Sequence, residues 1–169
     1  MTVTDQPRPG GPGDDVGDPG DDAGDPNDAL DVDGARRHVL GAHADLLGTT
    51  LDCAAAVASG FDETVDGAPA TGDSRLARDG LRTVLDRSGV VDGLAAALPG
   101  IVDAAGATMG ASPVPAPPYV AVTSSGPVAR ATLGPRRLVV RIDAYEPVDG
   151  AFVWREPTAK RALGVRVRG

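Results

Sequence analysis

At 169 residues the chain is long enough for one ordinary domain and a tail, and with only 3% aromatics its core must be built from Ala, Val and Leu. A single cysteine, Cys53, excludes an internal disulfide and any multi-cysteine metal site. The longest weakly polar stretch, Gly93 to Gly110, is broken by Pro99 and Asp103 and is too mildly apolar to span a bilayer. No apolar leader opens the chain, so a cytoplasmic protein without a membrane role is expected.

The net charge of −8 is unevenly spread. Residues 1–35 carry ten Asp against Arg8, whereas residues 112–169 carry nine bases against four acids. The choice of charged residue is also biased. Glu63, Glu146 and Glu156 are the only Glu among 24 acids, and Lys160 is the only Lys among 16 bases. Arg over Lys is what a GC-rich genome writes, but Asp over Glu is not explained that way. A short carboxylate holding water close to the backbone suits concentrated salt, and the reading is a halophile's protein. A GC-rich non-halophile is the rival reading.

Residues 1–28 are almost entirely Asp, Gly and Pro and contain a duplicated heptad, Asp14–Gly20 and Asp21–Asn27. With so little apolar surface to offset its conformational entropy, this tail is expected to be disordered. From Ala29 to Ser59 the apolar residues recur at helical spacing (Leu40, Leu47, Leu51, Ala54), with Asp31 or Asp33 as N-cap and Gly60 as terminator. Phe61 to Gly72 reads as a loop. Asp73 or Ser74 opens a helix carrying Leu76, Leu81, Val84 and Leu85, and two short helices follow, Val90–Leu98 and Pro99–Met109, divided at Pro99.

At Ser112 the pattern changes. Ser112 to Pro118 is a stiff proline-rich connector, after which the period falls to two. Strands are expected at Tyr119–Thr123, Val128–Leu133, Leu138–Tyr145, Ala151–Arg155 and Leu163–Arg168, with Asp149-Gly150 as the firmest hairpin turn. Short links favour an antiparallel meander. The expected fold is therefore α+β, with N-terminal helices packed on one face of a C-terminal antiparallel β-meander of four or five strands. Residues 29–169 form one domain in this reading, comprising a helical part (29–111), the connector (112–118) and a β part (119–169).

Calcium motifs fail. An EF-hand centred on Gly34 would need acids where Ala29 and Leu40 stand. The glycines form no phosphate loop, and Cys53, flanked by Ala54–Ala56 on the apolar side of its helix, reads as a small core residue. Ser124 and Ser125 read as turn chemistry. Two constellations remain. His38, Asp45 and Asp52 recur every seven residues and would share one face of a continuous helix, where a His with carboxylates can bind a metal or move a proton. In the β part Arg130, Arg137, Arg141, Arg166 and Arg168 alternate with apolar residues and would share one sheet face, with Tyr145 as its aromatic ring.

The run Pro117-Pro118-Tyr119-Val120-Ala121-Val122-Thr123-Ser124-Ser125-Gly126-Pro127, followed by Arg130-Ala131-Thr132-Leu133, resembles a family of uncharacterised haloarchaeal proteins. Members have an Ala/Val-rich helical first half and a proline-led β second half. The resemblance covers about residues 35–168, supports the halophile reading, and implies no activity, cofactor or catalytic residue. The leading functional expectation is a non-enzymatic protein that binds a macromolecular partner, with no cofactor and no metal site. An enzyme or metal site on the His38/Asp45/Asp52 face, and nucleic-acid or phosphate binding by the arginines, are the alternatives.

Overall fold

The computed structural model describes residues 29–169, so the expectation for the acidic tail lies outside the described residues. All the elements belong to the unit Asp31–Gly169. Helix α1 (Val32–Ala42) starts where the Asp31 carboxylate accepts from the Gly34 N–H at 2.8 Å. The single long helix expected over 29–59 is two helices, because the chain turns at His43 before α2 (Ala44–Ala58). The turn lets α1 lie along α4 and β8 while α2 packs mainly against α3. Helix α3 (Ser74–Arg87) is capped by Asp73, whose carboxylate accepts from the N–H groups of Arg75 and Leu76.

Helix α4 (Val90–Ala104) carries Pro99 within it, where a break between two short helices was expected. Proline removes one donor and costs a helix interior about 3 kcal/mol. The loss is overridden because the buried stripe continues through it: Leu94, Ala95 and Leu98 precede Pro99, and Ile101 and Val102 follow, all nearly inaccessible.

The α+β class holds, with helices dominating the first half and antiparallel strands the second. The strands form two four-stranded sheets where a single meander was expected. The first sheet has the order β1-β2-β7-β6: β1 (Glu63–Val65), β2 (Ala68–Thr71), β7 (Ala151–Trp154) and β6 (Tyr145–Val148). The second has the order β3-β4-β5-β8: β3 (Val120–Val122), β4 (Pro127–Leu133), β5 (Arg136–Ile142) and β8 (Leu163–Arg168). The expected loop 61–72 contains the β1–β2 hairpin, turning on Asp66-Gly67 with φ of 53° and 82°. Asp149-Gly150 turns β6 into β7 in the same way, with φ of 48° and 86°. Both central residues at positive φ is what a two-residue type I′ hairpin needs.

The expected strand Leu138–Tyr145 is divided after Ile142. Asp143 and Ala144 carry the chain from β5 in the second sheet to β6 in the first. Tyr145 consequently leaves the alternation that the sequence suggested. It is fully buried, its hydroxyl donates to the Ala54 carbonyl at 2.7 Å, and its ring meets Phe61 and Trp154 edge-on at 5.2 and 6.2 Å. Three of the chain's five aromatic rings thus join α2 to the first sheet.

Helices α1 and α4 cover the inner face of the second sheet, where Ala129, Ala131, Leu138, Val140, Ile142 and Leu163 are buried. Arg36 of α1 fastens that layer, donating through its two terminal nitrogens to the carbonyls of Leu163 and Lys160. Lys160 belongs to a short helix, α5 (Ala159–Ala162), between β7 and β8. No helix among the described residues is long and apolar enough to cross a membrane.

Candidate functional site

The outer face of the second sheet follows from strand alternation. On β5 the even positions Leu138, Val140 and Ile142 point to the helices, so Arg137, Val139 and Arg141 point away. The antiparallel register does the rest. Arg130 of β4 and Arg166 of β8 stand on either side of Val139, and Arg168 stands beside Arg137. All five arginines singled out in the sequence therefore share one face.

Val139 is an unusual residue for that face, being apolar and only 5% exposed. Its register neighbours are arginines, whose aliphatic stems are long enough to cover it while the guanidinium groups stay in water. A groove of about 320 Å³ runs here, lined by Thr123, Val128 and Val139 together with Arg130, Arg137, Arg141 and Arg168. Four of the five arginines (Arg130, Arg137, Arg166 and Arg168) make no ion pair with any described carboxylate. Arg141 differs. Its Nη2 bonds Asp143 at 2.9 Å, and its Nε is buried without a partner.

Tyr145, expected as the aromatic ring of this face, is in the core instead, because the chain changes sheets before reaching it. Tyr119 takes that place. Its carbonyl accepts from the Arg130 N–H at 2.7 Å, which extends the β3–β4 ladder by one residue, and with Arg130, Thr132 and Arg137 it lines a second hollow of about 300 Å³. Sequence alternation alone could not place Tyr119, because its phase depends on the β3–β4 register (Val120 opposite Ala129).

The second constellation is dispersed. His38 lies on α1, whereas Asp45 and Asp52 are exposed on α2 beyond the turn at His43, so no single helix face carries all three. Among the described residues no group of three or more His, Cys, Asp or Glu side chains is placed to hold a metal ion. His38 meets His43 edge-on at 5.1 Å. Burial, and then the neighbouring His38, holds the His43 imidazole below the usual histidine range.

Cys53 is a buried core thiol, 3.1 Å from the Ser88 hydroxyl. Ser124 and Ser125 act as turn residues. The Ser124 hydroxyl donates to the Ser74 carbonyl, and the Ser125 carbonyl accepts from the N–H groups of Ala144 and Tyr145.

No curated protein and no solved structure matches the chain. One family model does, described as a domain of unknown function (DUF7988), and it spans residues 33–168. It thus takes in α1 to β8 and with them every element that builds the arginine face. With four-fifths of its length matched, the chain belongs to the DUF7988 family.

Proposed function

We propose that this is a non-enzymatic binding protein of a halophile's cytoplasm, and that the arginine face of the second sheet receives an acidic macromolecular partner, foremost a protein with clustered carboxylates. One observation carries the reading: Arg130, Arg137, Arg166 and Arg168 share that face, and none of the sixteen carboxylates of residues 29–169 is paired to them. The described residues hold about as many acids as bases, so partners for a cationic face were at hand within the fold, and a face that none of them neutralises is what an acidic partner would exploit. In molar salt the Debye length is about 3 Å, so only contacts at hydrogen-bond range survive. Arginine suits that regime, because its planar fork gives a carboxylate two parallel bonds where lysine gives a point charge. Nucleic acid is the second reading, favoured by Tyr119 beside Arg130 and Arg137; RNA-binding sheets, however, usually stack bases on two or three rings.

The test is affinity purification in molar KCl with the wild type and an Arg130→Gln/Arg137→Gln double variant. Glutamine keeps part of the stem that covers Val139, so stability should move by only about 0.5 kcal/mol per site. Specific partners captured by the wild type should be missing from the variant. Capture abolished by nuclease would transfer the reading to nucleic acid. Identical partner lists would sink it.

The halophile element has its own measurement. Screening relieves the self-repulsion of an acidic chain, so the melting temperature should climb as KCl rises from dilute to molar. Equal melting temperatures at both ends would instead support the GC-rich, non-halophile origin.

A further inference from the structure

A cleft of about 580 Å³ opens where β5 ends and the chain crosses between the sheets. Four arginines and three carboxylates line it, and their pairing is uneven. Arg141 is tied to Asp143 and Arg155 to Glu146, both at 2.9 Å. Arg161, Arg166 and Glu156 make no ion pair with any described residue. The cleft is thus left with two uncommitted guanidinium groups against one uncommitted carboxylate.

Two features mark it as a built site. The Arg141 guanidinium at its wall is fixed in place by Asp143, with its Nε buried behind that pair. Glu156 has φ of 51°, a left-handed conformation that side chains other than Gly, Asn and Asp seldom adopt and that recurs at ligand sites.

We propose that this cleft binds a small phosphorylated polyol, with the phosphate held by Arg161 and Arg166 and hydroxyl groups donating to Glu156 and Glu146. Guanidinium groups in number recognise a tetrahedral oxyanion through paired hydrogen bonds. Ionised carboxylates only accept, so the groups that satisfy Glu156 and the spare lone pairs of Glu146 are donors, and hydroxyls supply them without adding charge. Pro147, Val153 and Pro157 give the carbon skeleton an apolar wall. A nucleobase is not the match, because Tyr145, the one aromatic residue of the lining, is fully buried. The site shares Arg141 and Arg166 with the macromolecular face but rests on separate observations.

Glucose 6-phosphate is the probe, titrated calorimetrically and by thermal shift into the full chain at constant KCl, with inorganic phosphate and glucose as references. Glucose 6-phosphate should bind saturably and raise the melting temperature by more than either reference. Arg161→Gln and Arg166→Gln should each weaken it by about tenfold or more. Glu156→Gln should weaken glucose 6-phosphate but leave inorganic phosphate unchanged. Arg130→Gln/Arg137→Gln, which alters the macromolecular face and not this cleft, should leave both unchanged, and Arg161→Gln should leave macromolecular capture intact, so the two sites fail independently. Ligand-free melting curves of each variant control for folding. Arg161 is exposed on the short α5, so its variant carries the test if the Arg166 variant does not fold. No saturable binding up to about 10 mM, a response equal to that of inorganic phosphate, or undiminished affinity in folded Arg161→Gln would each overturn the proposal.

Discussion

Replacing Gly126 with alanine is expected to destabilise the protein by about 3–5 kcal/mol or to abolish folding. The residue sits between β3 and β4 at φ +155°, and an added Cβ would lie 1.8 Å from the Ile142 carbonyl oxygen and 3.3 Å from the Ala144 nitrogen. Both are backbone atoms, so no side chain can swing aside. Nor is the turn free to shift. The Thr123 hydroxyl donates to the Gly126 carbonyl at 2.8 Å and accepts from the N–H groups of Ser125 and Gly126. The Ser125 carbonyl holds the two N–H groups at which the chain crosses between sheets. Denaturant unfolding in molar KCl measures the loss, and a change below about 1 kcal/mol would mean that the crossing relaxes at little cost. Thr123→Val removes the hydroxyl alone and should lose about 1–2 kcal/mol, which separates the lock from the close approach.

Tyr145 should give the second large effect. Truncation to alanine empties the junction between α2 and the first sheet and should lose about 3–5 kcal/mol, whereas Tyr145→Phe removes only the bond to the Ala54 carbonyl and should lose about 1–2 kcal/mol. The phenol also makes stability depend on pH. Burial, and then the nearby Cys53 thiol, holds its pKa far above the ordinary value of 10.0. The folded state therefore keeps a proton that the unfolded chain gives up as pH rises through about 10. Stability from this group is complete below that pH and falls above it, by up to about 1.4 kcal/mol per pH unit. Comparing the alkaline limb of the wild type with that of Tyr145→Phe isolates the effect. Equal slopes would show that the phenolate is accommodated in the fold.

Local signals served well where they alone decide structure, and failed where two distant segments meet. Asp149-Gly150 was legible as a hairpin because the apolar run Ala151-Phe152-Val153-Trp154 follows it. Asp66-Gly67 is the same dipeptide between the same Val and Ala, with similar positive φ values, but the strand after it is Ala68-Pro69-Ala70-Thr71, without a large apolar residue and with a proline, which reads as loop. The turn at His43 has no sign beyond Gly41 in the last turn of α1, and arises because α1 and α2 pack on different partners. Pro99 did look like a boundary, and burial on both sides overruled it. The arginine face was readable because period-two alternation fixes faces without knowledge of pairing. Tyr119 and Tyr145 exchanged roles because each depends on events outside its own strand, a register in one case and a change of sheet in the other. The mixed-charge cleft had no local signature, since its lining runs from Ser125 to Arg166 and is gathered only by folding.

The make-up of the first sheet governs how the polypeptide could be divided or synthesised. Its two hairpins come from the two halves of the domain and meet where Ala70 and Thr71 pair with Val153 and Phe152. The proline-rich segment at 112–118 resembles a hinge between modules, yet a cut there would leave each fragment holding half a sheet with a raw edge. Neither piece should persist as a monomer, and the two should associate only when mixed. On the ribosome, likewise, the helical half must wait with one edge of β2 open until β7 has emerged, which makes that strand the part of the nascent chain most in need of shelter.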